Sequence, residues 1–390
     1  MRMLVLGGCG IQGRAAVFDL AKRPDVQEVI CADATFEAMD EISAFVDMAK
    51  VRTESLDANN PERLDRLFRQ ADVAIDLLPR QFMETVCQSA IRTGVSVVNS
   101  NYAYPIAHLD EAARSAGVAI MPECGLDPGI DLVIYGEAGH RFDELHVVNS
   151  YCGGLPERSA CDNPFNYKIS WVFEGVLAST KRDSRMIDEG EVIDIPGADQ
   201  HAPRYVGQVD FPGLGTLEAV PNGDAVFFTD ALGVTATIRQ TGRYSLRWPG
   251  WSALWHPLKK LGFLSEDPVP GLPCKVSPYQ MMNKLLGPQL QYKRDEKDLV
   301  AMLNVFEGLK NGRRVRLVSR LLIERDLDTG IMAMAKGVSC PASIVARMIA
   351  AGEIRELGVL SPMKHIPYPA FTKALRDRGI TVQEEESVME

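Results

Sequence analysis

Short apolar runs alternate with amphipathic stretches through the first third of the chain. The apolar runs are MLVL, EVICAD, ADVAIDLLP, VSVVNS and VAIMPE, and each of them is followed or ended by Gly, Pro or a polar residue. Amphipathic or helical patterns lie between them, at 13–22, 61–70 and 83–93. Because a strand that is buried on both faces is apolar throughout, this alternation predicts a parallel sheet with helices on both faces.

The pattern changes after about Gly129. The segments VVNSYCGG, AVFFTDA and VTATIRQTGRYSLRW have a more β-like alternation, and Pro/Gly loops such as DFPGLG separate them. This texture predicts a second, α+β domain. Near the C-terminus, GIMAMAKGVSCPASIVARMIAAGEI is strongly helical, and FTKALRDRGI is a final amphipathic helix. Periodicity alone leaves open whether this tail returns to the first domain.

A glycine-rich loop follows the first predicted strand. Gly8, Gly10 and Gly13 have the spacing GxGxxG between a strand and a helix, which allows a pyrophosphate to approach the N-terminus of the helix. Asp33 ends the next strand 20 residues after Gly13, where an acid that binds a ribose belongs. Together they predict a dinucleotide-binding site.

The acid at position 33 favours NAD over NADP, although NADP stays open. Its carboxylate can accept hydrogen bonds from ribose hydroxyls but repels a 2′-phosphate, and the following ATFEAM contains no Arg or Lys. A second acid, Asp57, follows the next predicted strand. It fits either a position near the adenine or the cap of the helix that begins near Pro61.

Composition and charge exclude several classes of protein. The net charge of −10 argues against nucleic acid as a partner, and no apolar run approaches the ~18 residues of a membrane span. The N-terminus has the pattern of a strand and a turn, not of a signal peptide. Eight cysteines without a CxxC pair predict reduced thiols in a cytoplasmic protein, and the six histidines show no clustering that would predict a metal site.

An ordered set of motifs covers nearly the whole chain: LLP, AIRTG, NYAYP, ECGLDPGID, SYCGGLP, NPFNYKISW, YSLRWPG and GVLSP. The set resembles the saccharopine dehydrogenase family, including its lysine 6-dehydrogenase relatives. The resemblance implies a Rossmann-type, doubly wound NAD(P) domain interrupted by an inserted α+β substrate and dimerisation domain. The expected boundaries are 1–128 for the Rossmann domain, 129–334 for the insertion and 335–390 for a helical segment that returns to the first domain. A homodimer is also implied.

The resemblance implies oxidation of a carbon–nitrogen bond, with hydride passing to the nicotinamide and water hydrolysing the imine. Such chemistry needs proton acceptors, and a substrate with carboxylates needs cationic partners. The predicted catalytic residues are Asp127, Cys152 and Tyr102. Each has a plainer alternative: Asp127 as a helix N-cap followed by Pro128 at the first helical position, Cys152 as strand packing, and Tyr102 as an ordinary loop aromatic.

The remaining candidates follow from the same motifs. The predicted cofactor-binding residues are Gly8, Gly10, Ile11, Gln12, Gly13, Asp33, Ala34, Asp57, Leu78 and Pro79. The predicted substrate-binding residues are Asn101, Tyr102, Asn163, Tyr167, Lys168, Ser170, Arg243 and Arg247. The two arginines are four apart, so in a strand they share one face. That face fits a carboxylate clamp or, as the alternative, a charged surface exposed to solvent.

One motif departs from the family pattern. Saccharopine reductases usually carry an arginine in PNRD, whereas this chain reads PNGD, with Gly223 in that place. Saccharopine has three carboxylates, so the loss weakens the case for it, and Lys168 or Arg204 are candidate replacements. The leading hypothesis is oxidation of saccharopine to glutamate and aminoadipate semialdehyde, or the reverse. The alternatives are a lysine 6-dehydrogenase or another amino-acid or opine dehydrogenase, and a non-catalytic NAD-binding protein.

Overall fold

The computed structural model describes all residues from Met1 to Glu390. The chain forms two compact units. Unit 1 comprises Met1–Glu137 and Asp328–Thr381, and unit 2 comprises Ala138–Leu327 and Val382–Glu390. The order of segments is therefore that of a first domain interrupted by a second one. None of the helices is both long and apolar enough to cross a membrane.

Unit 1 is built on a seven-stranded sheet in which every neighbouring pair is parallel. Its strands are β1 (Arg2–Leu6), β2 (Glu28–Asp33), β3 (Val51–Ser55), β4 (Val73–Asp76), β5 (Ser96–Asn99), β6 (Ala119–Met121) and, late in the chain, β15 (Gly358–Val359). The order β3-β2-β1-β4-β5-β6-β15 contains the 3-2-1-4-5-6 arrangement of Rossmann folds. The predicted parallel sheet is confirmed.

The helices of unit 1 lie between these strands or follow the insertion. They are α1 (Ile11–Ala21), α2 (Asp40–Ser43), α3 (Pro61–Phe68), α4 (Met83–Thr93), α5 (Asp110–Ser115), α6 (Ile130–Arg141, which runs into unit 2), α11 (Ala333–Ala350), α12 (Pro362–His365) and α13 (Tyr368–Arg376). Alternate strand residues such as Leu4 and Ile30 pack with α3, α4 and α5, while α11 contacts β4 and β5. Strand residues on both faces are therefore buried, which explains the continuous apolar runs.

Unit 2 is built on a nine-stranded, mainly antiparallel sheet. Its strands are β7 (Glu144–Pro156), β8 (Ser184–Asp188), β9 (Glu191–Ile195), β10 (Gly207–Phe211), β11 (Gly215–Pro221), β12 (Gln240–Arg247), β13 (Asp298–Lys310), β14 (Arg313–Glu324) and β16 (Gln383–Val388). The main order is β10-β11-β12-β7-β13-β14-β16, with β8 between β12 and β9, and only β12 and β7 run parallel. Four helices complete the unit: α7 (Phe173–Ser179), α8 (Ala225–Leu232), α9 (Trp251–Lys260) and α10 (Pro278–Leu286).

The last residues differ from the expectation that all of 335–390 joins the first domain. β16 has the sequence QEEESV, is exposed throughout, and pairs with β14 of unit 2, so that it forms the edge of that sheet. Its glutamates meet basic residues of the same unit, since Glu384 and Glu386 bind Arg141, and Glu386 also binds Lys310. Backbone pairing and these ion pairs hold a strand that has no apolar face, so periodicity gave no signal for it.

Candidate active site

The glycine-rich loop after β1 has the geometry that the GxGxxG spacing predicts. A Cβ built on Gly13 would lie 2.0 Å from the Gly7 carbonyl oxygen, so α1 packs on the loop only without a side chain there. A Cβ on Gly8 would lie 2.5 Å from Cys31 Sγ in the neighbouring strand. At Gly10, by contrast, the nearest atom would be 3.4 Å away and the residue is exposed. The loop is therefore packed on its inner side and open at Gly10.

The N-terminus of α1 opens towards that exposed position. Gly10 occupies the N-cap with extended backbone and no side chain caps the helix, while Ile11 is exposed and Gln12 half-buried. No acidic residue lies in the first turn of α1. Free N–H groups at a helix N-terminus attract anions, and this one offers room for a pyrophosphate.

Asp33 lies beside the loop at the carboxyl end of β2. Its Oδ2 accepts a hydrogen bond from Cys9 N at 2.8 Å, and its Oδ1 accepts one from Ala34 N at 2.7 Å. Arg14 reaches the segment that follows β2, but its guanidinium is paired with Glu41 and bonded to Ala38 O. The Asp33 carboxylate therefore lies where it can accept hydrogen bonds from ribose hydroxyls, and it forms no ion pair with a cation.

The loops after β3 and β4 contain the other cofactor candidates. Asp57 is exposed and accepts from the backbone and side chain of Asn59. The cap of α3 is Asn60, whose side chain accepts from Arg63 N, so the alternative of Asp57 as that cap is wrong. Asn60 stands immediately before Pro61, the preferred place for a cap.

The loop after β4 begins with a buried acid. Asp76 Oδ1 accepts from Leu78 N at 3.0 Å, while its Oδ2 has no hydrogen-bond partner. Burial raises the pKa of this carboxyl to about 7. Leu78 is half-buried and Pro79 exposed, so both residues are accessible at the edge where the strands end. Carboxyl ends of parallel strands meet at one edge, which is where Rossmann folds bind their ligands.

The segment ECGLDPGID forms a closed loop at the same edge. Gly125 N donates to Pro128 O, and Ile130 N donates back to Gly125 O, at 3.1 and 3.0 Å. A Cβ on Gly129 would lie 1.9 Å from Gly125 O, so only glycine allows this closure. Within residues 121–136 every residue is buried except Asp127, which is half-buried. The loop therefore presents Asp127 from an otherwise buried stretch.

Asp127 is not the N-cap of the following helix. α6 begins at Ile130, and neither Asp127 nor Pro128 occupies the cap or first-turn positions that the sequence suggested. Instead Asp131, in the first turn, accepts from Gly129 N at 2.8 Å. The local sequence Asp-Pro-Gly has the composition of a cap, but the Gly125–Gly129 closure delays the helix by two residues.

Asn101 and Tyr102 lie directly against this segment. Glu123 N donates to Asn101 O at 2.8 Å, and the carboxylate of Glu123 accepts from Ala103 N at 3.1 Å. Both Asn101 and Tyr102 are half-buried, and the Tyr102 ring stacks on Tyr104 with centroids 6.1 Å apart. Within unit 1 the structure thus brings the Asn101–Tyr102 loop and the Asp127 loop together at the ends of β5 and β6.

In unit 2 the two arginines of β12 are both buried, at 4% exposure for Arg243 and 8% for Arg247. The alternative of a charged, solvent-exposed face is therefore wrong, because the neighbours of β12 cover that strand. The Arg243 guanidinium lies 4.4 Å over the Phe228 ring.

Arg247 is a buried cation without a carboxylate. Its Nη1 donates to Leu246 O at 2.7 Å, its Nε has no hydrogen-bond partner, and its guanidinium lies 5.5 Å from the Tyr167 ring and 5.1 Å from the Trp251 ring. Burial lowers the pKa of the guanidinium. The cross-strand neighbour, Glu218, accepts from Gly250 N and Ser252 N instead. A buried guanidinium in this state is suited to receive an anion.

Lys168 is also buried, but its charge is already matched. Its Nζ donates to both oxygens of Glu296 at 2.8 and 2.7 Å and to Asp162 at 3.1 Å. The carboxylate of Glu296 also accepts from Lys293 N. In this structure the ammonium therefore ties the 162–168 loop to the segment before β13.

The other polar residues of NPFNYKISW shape the same loop. Asn163 donates to Tyr167 O and accepts from Phe165 N, so its side chain holds the turn. Tyr167 and Ser170 are buried, and burial raises the pKa of the Tyr167 hydroxyl to about 12. Tyr167 thus serves as a neutral wall for the Arg247 guanidinium.

Cys152 lies in β7, between Ser245 of β12 and Met302 of β13, and it is buried. Its cross-strand partner Ser245 lies two residues before Arg247, and the electrostatic interaction of Cys152 with the Arg247 guanidinium opposes the lowering of the pKa of Arg247 by burial. Cys152, Tyr167 and Arg247 therefore form one neighbourhood within unit 2.

The position that lacks the family arginine is a turn. Gly223 has a φ of +77°, its N–H donates to Ser184 Oγ, and its carbonyl accepts from Arg185 N. An added Cβ would lie 3.9 Å from Cδ of Arg182, whose Nη1 donates to Asn222 Oδ1 at 3.4 Å. A guanidinium from a neighbouring loop therefore stands next to the glycine. Asp224 of the same motif caps α8 through Phe227 N.

These features together define a class of protein. A Rossmann-order sheet with an open glycine at a free helix N-terminus and a ribose-type acid is a dinucleotide-binding unit, and it is joined in one chain to a sheet unit that buries an arginine without a carboxylate partner.

Comparison with known families identifies the family of this chain. The saccharopine dehydrogenase NADP binding domain matches residues 3–121, and the saccharopine dehydrogenase C-terminal domain matches residues 125–380. The chain belongs to the saccharopine dehydrogenase family.

Individual relatives are distant in sequence. The chain is 27% identical to a saccharopine dehydrogenase [NADP(+), L-glutamate-forming] from Pyricularia oryzae, over 92% of this chain and 93% of that protein. It is 25% identical to the mitochondrial alpha-aminoadipic semialdehyde synthase of Rattus norvegicus, over 99% of this chain and 48% of the other. The chain thus spans about half the length of that relative. Its fold matches apo saccharopine dehydrogenase (L-Glu forming) from Saccharomyces cerevisiae with a TM-score of 0.85, 24% identity and 99% coverage of both chains.

Three residues of these sites were not predicted from the sequence. Trp251 walls the Arg247 guanidinium, Glu296 neutralises Lys168, and Arg182 stands beside Gly223. Of these, only Trp251 carried a local signal, because it lies four residues after Arg247. The other two are brought in from distant segments.

Proposed function

We propose that this chain is a nicotinamide-dinucleotide-dependent oxidoreductase that oxidises a carbon–nitrogen bond of an amino-acid derivative. The substrate we favour is saccharopine, cleaved to glutamate and aminoadipate semialdehyde, or formed in reverse. The observation that carries the proposal is the Gly8–Gly13 loop with its open Gly10 beside Asp33, in a chain whose two matched family domains together extend over residues 3–380 with only a short gap.

NAD is the cofactor that the residues around Asp33 favour. A 2′-phosphate would meet the Asp33 carboxylate and, in the next turns, Glu37 and Glu41, while Arg14 is already paired with Glu41. The relative from Pyricularia oryzae carries NADP(+) in its name, and the matching family domain is described as NADP binding, so the preference for NAD is a point on which this chain would differ. Gly10, Ile11, Gln12 and Gly13 would hold the pyrophosphate, and Ala34, Asp57, Leu78 and Pro79 would line the rest of the cofactor. When bound, the nicotinamide accepts or returns the hydride.

Arg247 is our candidate for a carboxylate of the substrate. Its guanidinium is desolvated by Tyr167 and Trp251 and is matched by no acid, so an incoming carboxylate would supply the missing partner. Arg243 would serve a second carboxylate. Arg182, beside Gly223, is in a position to supply the guanidinium that PNGD lacks, which favours saccharopine over a substrate with one carboxylate.

The reaction needs groups that take up protons from the amine and from water. We propose Asp127 for this role, because the closed loop exposes that carboxylate alone from a buried stretch. Cys152 and Tyr102 are the further catalytic residues that the family resemblance implies. Asn101 in unit 1, and Asn163 and Ser170 in unit 2, are the further substrate-binding residues that the resemblance implies, whereas Lys168, paired with Glu296, acts as a structural cation.

The proposal is tested by measuring the reduction of the cofactor through its absorbance. Saccharopine, lysine and related opines are each offered with NAD and with NADP. Saccharopine with NAD is expected to give the highest kcat/KM. Turnover of lysine alone would show that the glycine of PNGD has changed the substrate, and tight nucleotide binding without turnover of any amine would refute the enzyme hypothesis.

Two variants separate catalysis from folding at Asp127. Asp127→Asn keeps the size of the side chain and one carbonyl oxygen, so this variant is expected to keep the wild-type melting temperature, and Asp127→Ala shows what the side chain contributes to stability. Both are expected to lose about 10²- to 10⁴-fold in kcat, as removal of a general base does. A loss of thermal stability with retained turnover would contradict the role.

The expectations of a homodimer and of a cytoplasmic location remain proposals. All eight cysteines are free thiols in the structure, which supports a reducing compartment. Sedimentation velocity at micromolar concentration tests the dimer.

A further inference from the structure

A buried histidine in unit 2 is contacted at both ring nitrogens by residues of α9. Trp251 Nε1–H donates to His201 Nε2 at 3.2 Å, and Lys259 Nζ lies 3.0 Å from His201 Nδ1. His201 is 2% exposed. Lys259 Nζ also donates to Thr180 O at 2.6 Å and to Gly197 O.

The donors and acceptors of this network fix its protonation. The indole N–H of Trp251 can only donate, so His201 Nε2 must offer its lone pair. A neutral imidazole then carries its hydrogen on Nδ1, facing Lys259. That bond forms only if Lys259 is a neutral amine that accepts from Nδ1–H. Its two own hydrogens then serve the two carbonyls, and every group is satisfied.

Protonation of Lys259 breaks this arrangement. An ammonium has no lone pair, so His201 must turn Nδ1 into an acceptor and carry its hydrogen on Nε2. Two N–H groups, those of His201 and Trp251, then face each other. The charged lysine is thus incompatible with the hydrogen bond of Trp251.

Trp251 connects the network to the buried arginine. Its ring lies 5.1 Å from the Arg247 guanidinium and 5.1 Å from the Tyr167 ring, which is the other wall of that cation. Trp251 also packs against Trp255 of the same helix. A change in the indole hydrogen bond therefore acts on the wall of the candidate carboxylate site.

We propose that His201 and Lys259 are positioning residues for Arg247: the neutral Lys259 amine selects the His201 tautomer that holds Trp251 against the guanidinium. The expected effect on substrate binding rests on the proposed function of Arg247. The protonation state of the network is independent of that function.

The charged groups around the network set where it responds to pH. Burial lowers the pKa of Lys259 to about 8, with Asp199 opposing and Lys260 adding to that shift, and burial lowers the pKa of His201 to about 2, with Lys259, Arg247 and His256 adding to it. His201 therefore stays neutral, while Lys259 titrates. The complete network is the form above the pKa of Lys259, and it is lost as pH falls through that value.

Indole N–H resonances report the network directly. The chain has four tryptophans, so protein labelled with ¹⁵N in the indole ring gives at most four such signals, and Trp251→Phe assigns the one of interest. In wild type the Trp251 signal is expected to titrate with a midpoint near 8. Lys259→Gln keeps an acceptor without a charge and should hold the signal at its high-pH position throughout. Lys259→Arg, a permanent donor, should hold it at the low-pH position.

Lys260→Gln is the matched control. Lys260 is adjacent and exposed and pairs with Asp199, so its variant should keep the titration of the Trp251 signal, with the midpoint moved upward because the Lys260 charge helps to lower the pKa of Lys259. A Trp251 signal that stays constant with pH in wild type would overturn the proposal. So would a Lys259→Gln variant that titrates like wild type, or a Lys259→Arg variant that shows the high-pH position.

Kinetics with saccharopine extend the test to Arg247. Lys259→Arg is expected to raise KM about fivefold at pH 9, with kcat unchanged, because a fivefold change corresponds to the free energy of about one hydrogen bond. Lys259→Gln should keep the wild-type KM. Equal KM values for the two variants would refute the positioning of Arg247. If saccharopine is not turned over at all, the proposed function fails, while the resonances, measured without substrate, still decide the state of the network.

Discussion

Replacing Gly10 by alanine separates nucleotide binding from folding. A Cβ at Gly10 would meet only Gly7 O, at 3.4 Å, and the residue has an ordinary φ of −65°. The variant should therefore fold, at a cost of less than about 1 kcal/mol for the poorer cap. The same methyl would stand where a pyrophosphate approaches the free N–H groups of α1.

The size of the effect follows from the bonds that the methyl disturbs. One hydrogen bond from a backbone N–H to a charged group contributes about 1.5–3 kcal/mol, so Gly10→Ala should weaken NADH binding about 10- to 100-fold. Gly13→Ala is the matched contrast, because its Cβ would lie 2.0 Å from Gly7 O. That overlap should destabilise the fold by about 1–3 kcal/mol.

Nucleotide fluorescence and thermal unfolding measure the two quantities in parallel. Gly10→Ala is expected to lose affinity while its melting temperature changes by a few degrees at most, and Gly13→Ala is expected to melt earlier. Wild-type affinity in Gly10→Ala would refute the assignment of the pyrophosphate to this loop.

Three further predictions concern the other charged sites. Arg247→Met should raise KM for saccharopine about 10- to 100-fold and leave NADH affinity unchanged, because the lost contact is a charge-assisted bond to substrate; unchanged KM would exclude Arg247 from binding. Asp33→Asn should reduce the preference for NADH over NADPH, measured as the ratio of the two dissociation constants, and an unaltered ratio would contradict the role of the carboxylate. Asp76→Asn should stabilise the protein by about 2–4 kcal/mol at pH 8 and by little at pH 4, measured by urea unfolding. The gain is expected at high pH because the pKa of Asp76 in the folded protein, about 7, exceeds the value in the unfolded chain, so wild type loses stability as pH rises towards 7. Equal gains at both pH values would show that the ionisation of Asp76 is not the cause.

The first domain was largely predictable because its signals are local. Each strand buried on both faces is an apolar run, and the glycine spacing and Asp33 lie within one strand–helix–strand unit. Residues 127–129 also carry a local signal, but it predicts a helix start at Pro128. Asp-Pro-Gly has the composition of a helix start, but the tertiary closure of Gly129 onto Gly125 moved the start to Ile130.

The sequence by itself determined which residues carry chemistry, and the tertiary structure decided which of them have partners. Lys168 and Arg247 are both cations within motifs that predict substrate binding. Glu296, 128 residues from Lys168, neutralises one of them, while Glu218 is held by backbone N–H groups and leaves the other without an acid. Such pairings form between segments that are remote in the chain, so no spacing rule contains them. Burial then gives them their weight, because a charge removed from water must find its partner within the fold or in a ligand.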